Sequence, residues 1–311
     1  MARRIRCPYC GAEYEAPEGV EYAVCPYCGT TVRIETGETA PQYYYPPRLA
    51  EHDAYAAALS RASQMPGAPR DLQETAAFSR AGLHMVPLYI CHASARAREE
   101  SCRTAAEEAE EAALATGPEP LPGLPQDYPF PSTGRVPYSP GVVERVERFH
   151  QATRPPGDLC RALEMSVSSR AFSEAMLSGC SGEVEASSRL LGVAHYPFWV
   201  VHYTHPLGKQ PYTAVVDAVD ATVVYVEYPV PGSRRLTLLG LAAAGYAAGL
   251  AAGAAVAAYL HAAGPLLGAA AVAAASAAPH LRRAAARRGR YRLSASTVPA
   301  SVTRLMEERT E

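Results

Sequence analysis

The 311-residue chain contains no asparagine and a single lysine, Lys209, although arginine is abundant. Both scarce residues have A-rich codons, so a GC-rich genome explains the gap. A thermophilic source is the second reading, because asparagine is thermolabile. Charge of either sign is not in excess: the net value of −2 argues against a strongly basic nucleic-acid binder and against an acidic tail. The chain also lacks a Gly-x-x-x-x-Gly-Lys phosphate loop, a Gly-x-Gly-x-x-Gly turn, a Gly-x-Ser-x-Gly elbow and a His-Glu-x-x-His helix, so no catalytic residue is assigned. The start, MARRIRCPYC, reaches its first cysteine without an apolar run, which predicts no secretory signal and a cytoplasmic N-terminal part with reduced thiolates.

What is present begins with one phrase written twice, Cys-Pro-Tyr-Cys-Gly at Cys7–Gly11 and at Cys25–Gly29. Each Cys-x-x-Cys makes a tight turn that points two sulfurs at one centre. Gly11 and Gly29 stand where the backbone needs positive φ to aim its amides at those sulfurs. The fourteen residues between the pairs suffice for a short hairpin. Four thiolates, Cys7, Cys10, Cys25 and Cys28, favour zinc, with iron as the competitor, and a closed shell makes the site structural. Thr30–Glu35 alternates like a following strand.

These residues resemble the zinc-ribbon family with rubredoxin-type knuckles. The resemblance reaches only as far as Glu35 and implies a small β unit of two hairpin knuckles holding one structural Zn2+ through the same four cysteines. Residues 1–36 are therefore expected to form the ribbon and 37–48 a proline-bounded linker carrying three adjacent tyrosines.

Residues 49–232 read as a mixed α+β domain. Leu49–Gln64 is an Ala-rich helix. Val-Pro-Leu-Tyr-Ile-Cys-His (Val86–His92) and Tyr-Pro-Phe-Trp-Val-Val-His (Tyr196–His202) look like copies of one strand buried on both faces, a duplicated unit. Ser94–Gly117 reads as an acidic helix, 117–141 as a proline-dense spacer, and Ser139-Pro140 as the start of a helix with Val142, Val143, Val146 and Phe149 as its stripe. Leu159–Leu177 is helical, and Tyr212–Val230 is a hairpin turning at Asp217–Asp220. His92 and His202 are candidate paired ligands, and His195, His202, His205, Asp217 and Asp220 a candidate acid/base cluster. Strand-end positions near solvent are the favoured reading of the two histidines, and no spacing forces the five acid/base candidates together.

The last third predicts location. Leu236–Leu260 carries no charge over twenty-five residues, which at 1.5 Å per residue exceeds a hydrocarbon layer of about 30 Å. Pro265–Leu281 is a second uncharged run. Arginines flank the outer ends, so 233–281 is expected to be a two-helix transmembrane hairpin (236–260 and 265–281) with a basic cytoplasmic tail at 282–311 and both termini inside. Gly245, Gly249 and Gly253 recur every four residues and offer a face for helix–helix self-association. These features predict an integral cell-membrane protein whose ribbon serves as a non-enzymatic scaffold or adaptor for a protein partner beside the lipid bilayer. The rivals are a nucleic-acid-associated ribbon using Arg3, Arg4 and Arg6, and a membrane-bound enzyme using the His/Asp strands.

Overall fold

In the computed structural model the described residues are 3–98, 105–180, 183–208, 210–260, 268, 270–275, 277–278 and 288–293. In chain order the elements are β1 (Arg3–Arg6), β2 (Glu13–Ala16), β3 (Tyr22–Val24), β4 (Thr31–Arg33), β5 (Gln42–Tyr44), α1 (Glu51–Ser63) and α2 (Leu72–Thr75). Then follow β6 (Ala77–Ala97), β7 (Ala106–Leu114), β8 (Val136–Pro137), β9 (Val146–Phe149), α3 (Pro156–Leu177), β10 (Val184–Thr204), β11 (Tyr212–Asp217), β12 (Val223–Pro229), α4 (Gly232–Leu260) and β13 (Arg288–Arg292). Two small hairpins, β1–β2 and β3–β4, make the N-terminal unit, and nine strands from β5 onward make one sheet.

The sheet is built around the two lookalike segments. They lie in β6 and β10, each 21 residues long, which pair antiparallel from Val184↔Ala97 to Thr204↔Ala77. On its outer edge each long strand first pairs in parallel with a short strand and then antiparallel with the strand that follows it. For β6 these are β9 at Leu83–Met85 and β7 from Leu88; for β10 they are β5 at Val193–His195 and β11 from Phe198. The result is two strand–helix–strand–strand units, β5-α1-β6-β7 and β9-α3-β10-β11, that exchange their short strands.

Pro87 and Pro197 occupy equivalent places in this scheme. Their carbonyls accept from Ala115 N–H and Ala218 N–H on the outer edge, so their missing N–H groups also face that edge. There the partner changes from one strand to the next, and no ladder bond is lost. That explains how a proline is accommodated within each central strand.

Alternation along β6 and β10 sends two sets of side chains to opposite faces. Val86, Leu88, Ile90, Ala194, Tyr196 and Phe198 face the proline-dense segment, which lays Leu121, Leu124, Tyr128 and Phe130 over them. On the other face α3 buries Cys160, Leu163, Val167 and Ala171 against Tyr89, Cys91, Ala93 and Val193. Further along that face α1 buries Ala54, Ala58, Leu59 and Ala62 against Val201, Tyr203, Tyr212 and Val216. Between the helices, Val24 of the N-terminal unit packs with Leu83, Met85, Tyr138 and Phe149.

Several expectations need correction. The middle of the chain is a large nine-stranded sheet, and it recruits residues from both flanks: β5 from the linker and β13 from the arginine-rich segment after 282. Arg-Gly-Arg-Tyr-Arg pairs with β12 from Tyr225↔Arg292 to Pro229↔Arg288, a long-range contact with no local signature. The expected C-terminal two-helix transmembrane hairpin is overturned. Among the described residues one helix is long and apolar enough to cross a membrane, through Leu239–Val256. It is inserted between neighbouring strands β12 and β13; of the second run, 265–281, residues 268, 270–275 and 277–278 are described, as helix, and the other eight lie outside the described residues.

Ser94–Gly117 is not an acidic helix either. Its residues 106–114 form β7, in register with β6 from Leu88↔Leu114 to Arg96↔Ala106. Alanine and glutamate are good helix formers, but propensity is a small term per residue and sheet pairing overrides it. The helix expected after Pro140 is likewise absent: Val146–Phe149 is strand β9, drawn into the sheet by β6.

Candidate metal centre

Each knuckle is the turn of one small hairpin. In the first, Cys7 N–H donates to Ala12 O (2.8 Å) and Gly11 N–H to Cys7 O (3.0 Å); in the second, Cys25 N–H donates to Thr30 O and Gly29 N–H to Cys25 O, both at 2.9 Å. Gly11 and Gly29 share the same left-handed φ of 73°, which lets the chain reverse beneath the sulfurs. The Sγ atoms of Cys7, Cys10, Cys25 and Cys28 all lie within 4.8 Å of one another. Cys7 and Cys28 are 3.6 Å apart and Cys10 and Cys25 3.7 Å apart. A tetrahedron of sulfurs bound to zinc at about 2.3 Å has an edge of about 3.8 Å, so the spacing fits an ion at the centre. The four cysteines could hold a metal ion, and their softness suits zinc or iron.

The local electrostatics prepare one thiol before any ion arrives. Burial pushes the Cys7 thiol up, but backbone N–H groups of Cys10 and Tyr9 and the neighbouring thiols outweigh it and hold Cys7 at about 7. Burial raises Cys25 and Cys28, an effect that backbone and Thr30 hydrogen bonds only partly offset and to which neighbouring thiols add. Thr30 Oγ1 lies 3.1 Å from Cys28 Sγ. A cation binding here displaces protons, so its affinity rises with pH.

The two knuckles have the same sequence and different surroundings. The first is open, and a Cβ placed on Gly11 would touch nothing within 4 Å. The second is seated on the sheet. Tyr138 Oη donates to Cys28 O at 2.6 Å, and Gln151 clamps β3 by accepting from Val24 N–H (3.3 Å) and donating to Val24 O. Under Gly29, Tyr138 and Phe149 enclose the fully buried ring of His195, with centroids 4.8 and 5.5 Å away. Neither ring nitrogen of His195 has a hydrogen-bond partner among the described residues. Burial pushes its pKa down to about 4, a pull that the nearby Gly29 backbone only partly offsets. His195 is therefore a neutral packing element at neutral pH.

The other candidate residues are dispersed. His92 pairs with Arg189 and His202 with Arg80, near opposite ends of the β6–β10 ladder. His202 Nδ1 contacts Thr213 Oγ1 at 3.2 Å, and His205 Nε2 contacts Thr75 Oγ1 at 2.8 Å. Asp217 lies on the opposite sheet face from His195, fully buried beneath the proline-dense segment. Its Oδ2 accepts from Tyr128 Oη (2.6 Å) and Tyr196 Oη (2.9 Å), and its Oδ1 from Val219 N–H (2.7 Å). Burial, then the Asp220 charge, push its carboxyl up to about 7. Asp220 caps the turn through Thr222 N–H. The five acid/base candidates do not converge.

In α4, a Cβ on Gly249 would lie 2.6 Å from Ala273 Cβ, whereas one on Gly245 would meet nothing within 4 Å. Two features had no local signal. Tyr138, Gln151, Phe149 and His195, which seat the second knuckle, come from three distant segments. Cys91 and Cys160 form a disulfide across 69 positions, joining β6 to α3. No family model, curated protein or solved structure matches the chain.

Proposed function

We propose that the chain is a non-enzymatic scaffold: a zinc-ribbon head, braced on a nine-stranded sheet, that α4 holds at a lipid bilayer and that presents its outer knuckle to a protein partner. The observation that carries the membrane part is the exposure of α4. Its Leu239–Val256 window has a mean hydropathy of 1.6 but is only 11% buried, with Leu241 at 53% and Val256 at 48% exposed. A core helix of a soluble protein would hide such a surface, whereas lipid covers it without a protein partner. The segment leaves the sheet after Pro229 and is back in register beside it at Arg288, which keeps β13 with the head.

Zinc is the favoured ion because a four-thiolate shell without an open position suits a redox-inert tetrahedral metal. The scaffold role draws on the knuckle tips. Tyr9 and Tyr27 are 65% and 69% exposed on turns whose neighbouring residues the ion would make rigid. We place the head in the cytoplasm. The Cys91–Cys160 disulfide then points to a hyperthermophile-like cell, where intracellular disulfides persist; the missing asparagine agrees.

Two measurements test this reading. Protein purified in detergent should carry about one zinc per chain by elemental analysis; no metal, or stoichiometric iron, contradicts it. Ala247→Arg, at the middle of the exposed apolar window, should weaken membrane retention roughly a hundredfold; unchanged retention removes α4 as the anchor. A second reading rests on Arg3, Arg4 and Arg6, which line one groove of about 280 Å3 with Arg33. It requires salt-dependent oligonucleotide binding that the triple alanine variant loses.

A further inference from the structure

A cavity of about 540 Å3 opens on the helix-bearing face of the sheet, between the start of α1 and the segment leading into β9. Its floor is apolar: Leu49, Leu83 and the indole of Trp199, the chain's single tryptophan. Trp199 is held in place by its Nε1–H, which donates to Leu49 O at 2.8 Å. Its rim carries Arg48, Arg145, Glu51 and Glu144. This combination of a preformed apolar concavity and a few charged groups, placed beside the seam of two packed units, is the usual setting of small-molecule sites.

Three observations narrow the ligand. Among the described residues Arg48, Arg145 and Glu144 form no ion pair, although charges of both signs surround one opening. Arg145 is held at φ 59°, a left-handed conformation that destabilises a non-glycine residue by about 1 kcal/mol. At the inner lip, Ala50, the N-cap of α1, supplies no side-chain cap, so first-turn N–H groups can donate to a negative partner.

We propose that this cavity binds a small apolar zwitterion, an aromatic or branched amino acid. The apolar body lies on Trp199 and Leu83, the carboxylate faces Arg145, Arg48 and the α1 start, and the ammonium faces Glu144 and Glu51. A simple anion leaves the two carboxylates uncompensated, and a simple cation does the same for the arginines. The site is separate from the cysteine cluster and independent of how the chain is anchored.

The single tryptophan makes the test direct. Detergent-purified full-length protein is titrated with L-phenylalanine while Trp199 fluorescence is followed, with phenylacetate and phenethylamine as probes that each lack one charge. A saturable change with Kd at or below about 1 mM is expected for phenylalanine, and roughly tenfold weaker responses for the two half-probes. Arg145→Gly separates binding from folding. It relieves the positive φ, so the melting temperature should hold or rise while phenylalanine affinity falls roughly tenfold. Glu144→Gln should weaken phenylalanine and leave phenylacetate unchanged. The proposal is overturned if phenylalanine gives no saturable change, if either half-probe binds as tightly, or if Arg145→Gly binds as well as the parent.

Discussion

Identical knuckles in unlike surroundings provide a matched pair of substitutions. Gly11→Ala and Gly29→Ala change the same residue, at the same φ of 73°, in the same Cys-Pro-Tyr-Cys-Gly phrase. Each forces alanine into the left-handed region, destabilising the fold by about 1 kcal/mol. At Gly11 nothing further happens, because the new Cβ meets open space. At Gly29 the Cβ would lie 2.5 Å from Phe149 Cε1 and 2.6 Å from Tyr138 Oη. Those rings enclose His195 and cannot retreat without opening the seam between the N-terminal unit and the sheet. Overpacking of this kind adds about 1–3 kcal/mol. The summed effect at Gly29 is about 2–4 kcal/mol, or roughly 5–15 °C in melting temperature, against roughly 2–4 °C at Gly11. Thermal denaturation of metal-loaded protein followed by circular dichroism measures both. Equal shifts would mean that the second knuckle is not seated on the sheet, and the docking argument would fail.

Asp217 should give the chain a pH-dependent stability. Its folded pKa, about 7, lies above the ordinary carboxylate range. Its contribution is therefore complete near pH 4 and is lost as pH rises through about 7, an effect of order 4 kcal/mol at about 1.4 kcal/mol per pKa unit. Asp217→Asn should flatten that slope in urea melts between about pH 4 and pH 8; a slope unchanged by the substitution refutes the assignment. The disulfide closes a loop of 69 positions, so Cys91→Ser with Cys160→Ser should destabilise by about 4 kcal/mol. Chemical denaturation under non-reducing conditions checks this, and a loss near zero would mean the bond is absent in the native protein. Lowering pH should release the metal as protons compete for the four sulfurs. Metal content after dialysis across a pH series follows the release; retention that is independent of pH contradicts thiolate ligation.

Local chemistry was legible where it is local. The two Cys-x-x-Cys turns, their glycines and the hairpin at Asp217–Asp220 follow from short-range rules. So do α1 and α3, whose buried positions recur at helical spacing. The resemblance between Val86–His92 and Tyr196–His202 pointed to equivalent strands, but not to their pairing with each other. Long-range pairing was invisible. Ala106–Leu114 carries helix-favouring residues yet is a strand because β6 offers a free edge. Arg288–Arg292 reads as a solvated basic run yet closes the sheet, with Arg288 and Arg290 both on Glu227 at 3.0 and 3.3 Å. The same blindness produced the expected hairpin of two membrane helices: hydropathy registers apolar length and cannot see that the segment is an insertion between paired strands. The seat of the second knuckle was hidden for a related reason. Tyr138, Phe149, Gln151 and His195 meet only because β9 and β10 flank β6.

The most direct test of the account is alkaline carbonate extraction of membranes from cells expressing the intact chain, with the fractions probed for the protein. An α4 buried in lipid predicts that the chain stays in the washed pellet and is released only by detergent. Recovery in the carbonate supernatant would show that the exposed apolar helix is covered by protein, and the bilayer-held scaffold would have to be abandoned.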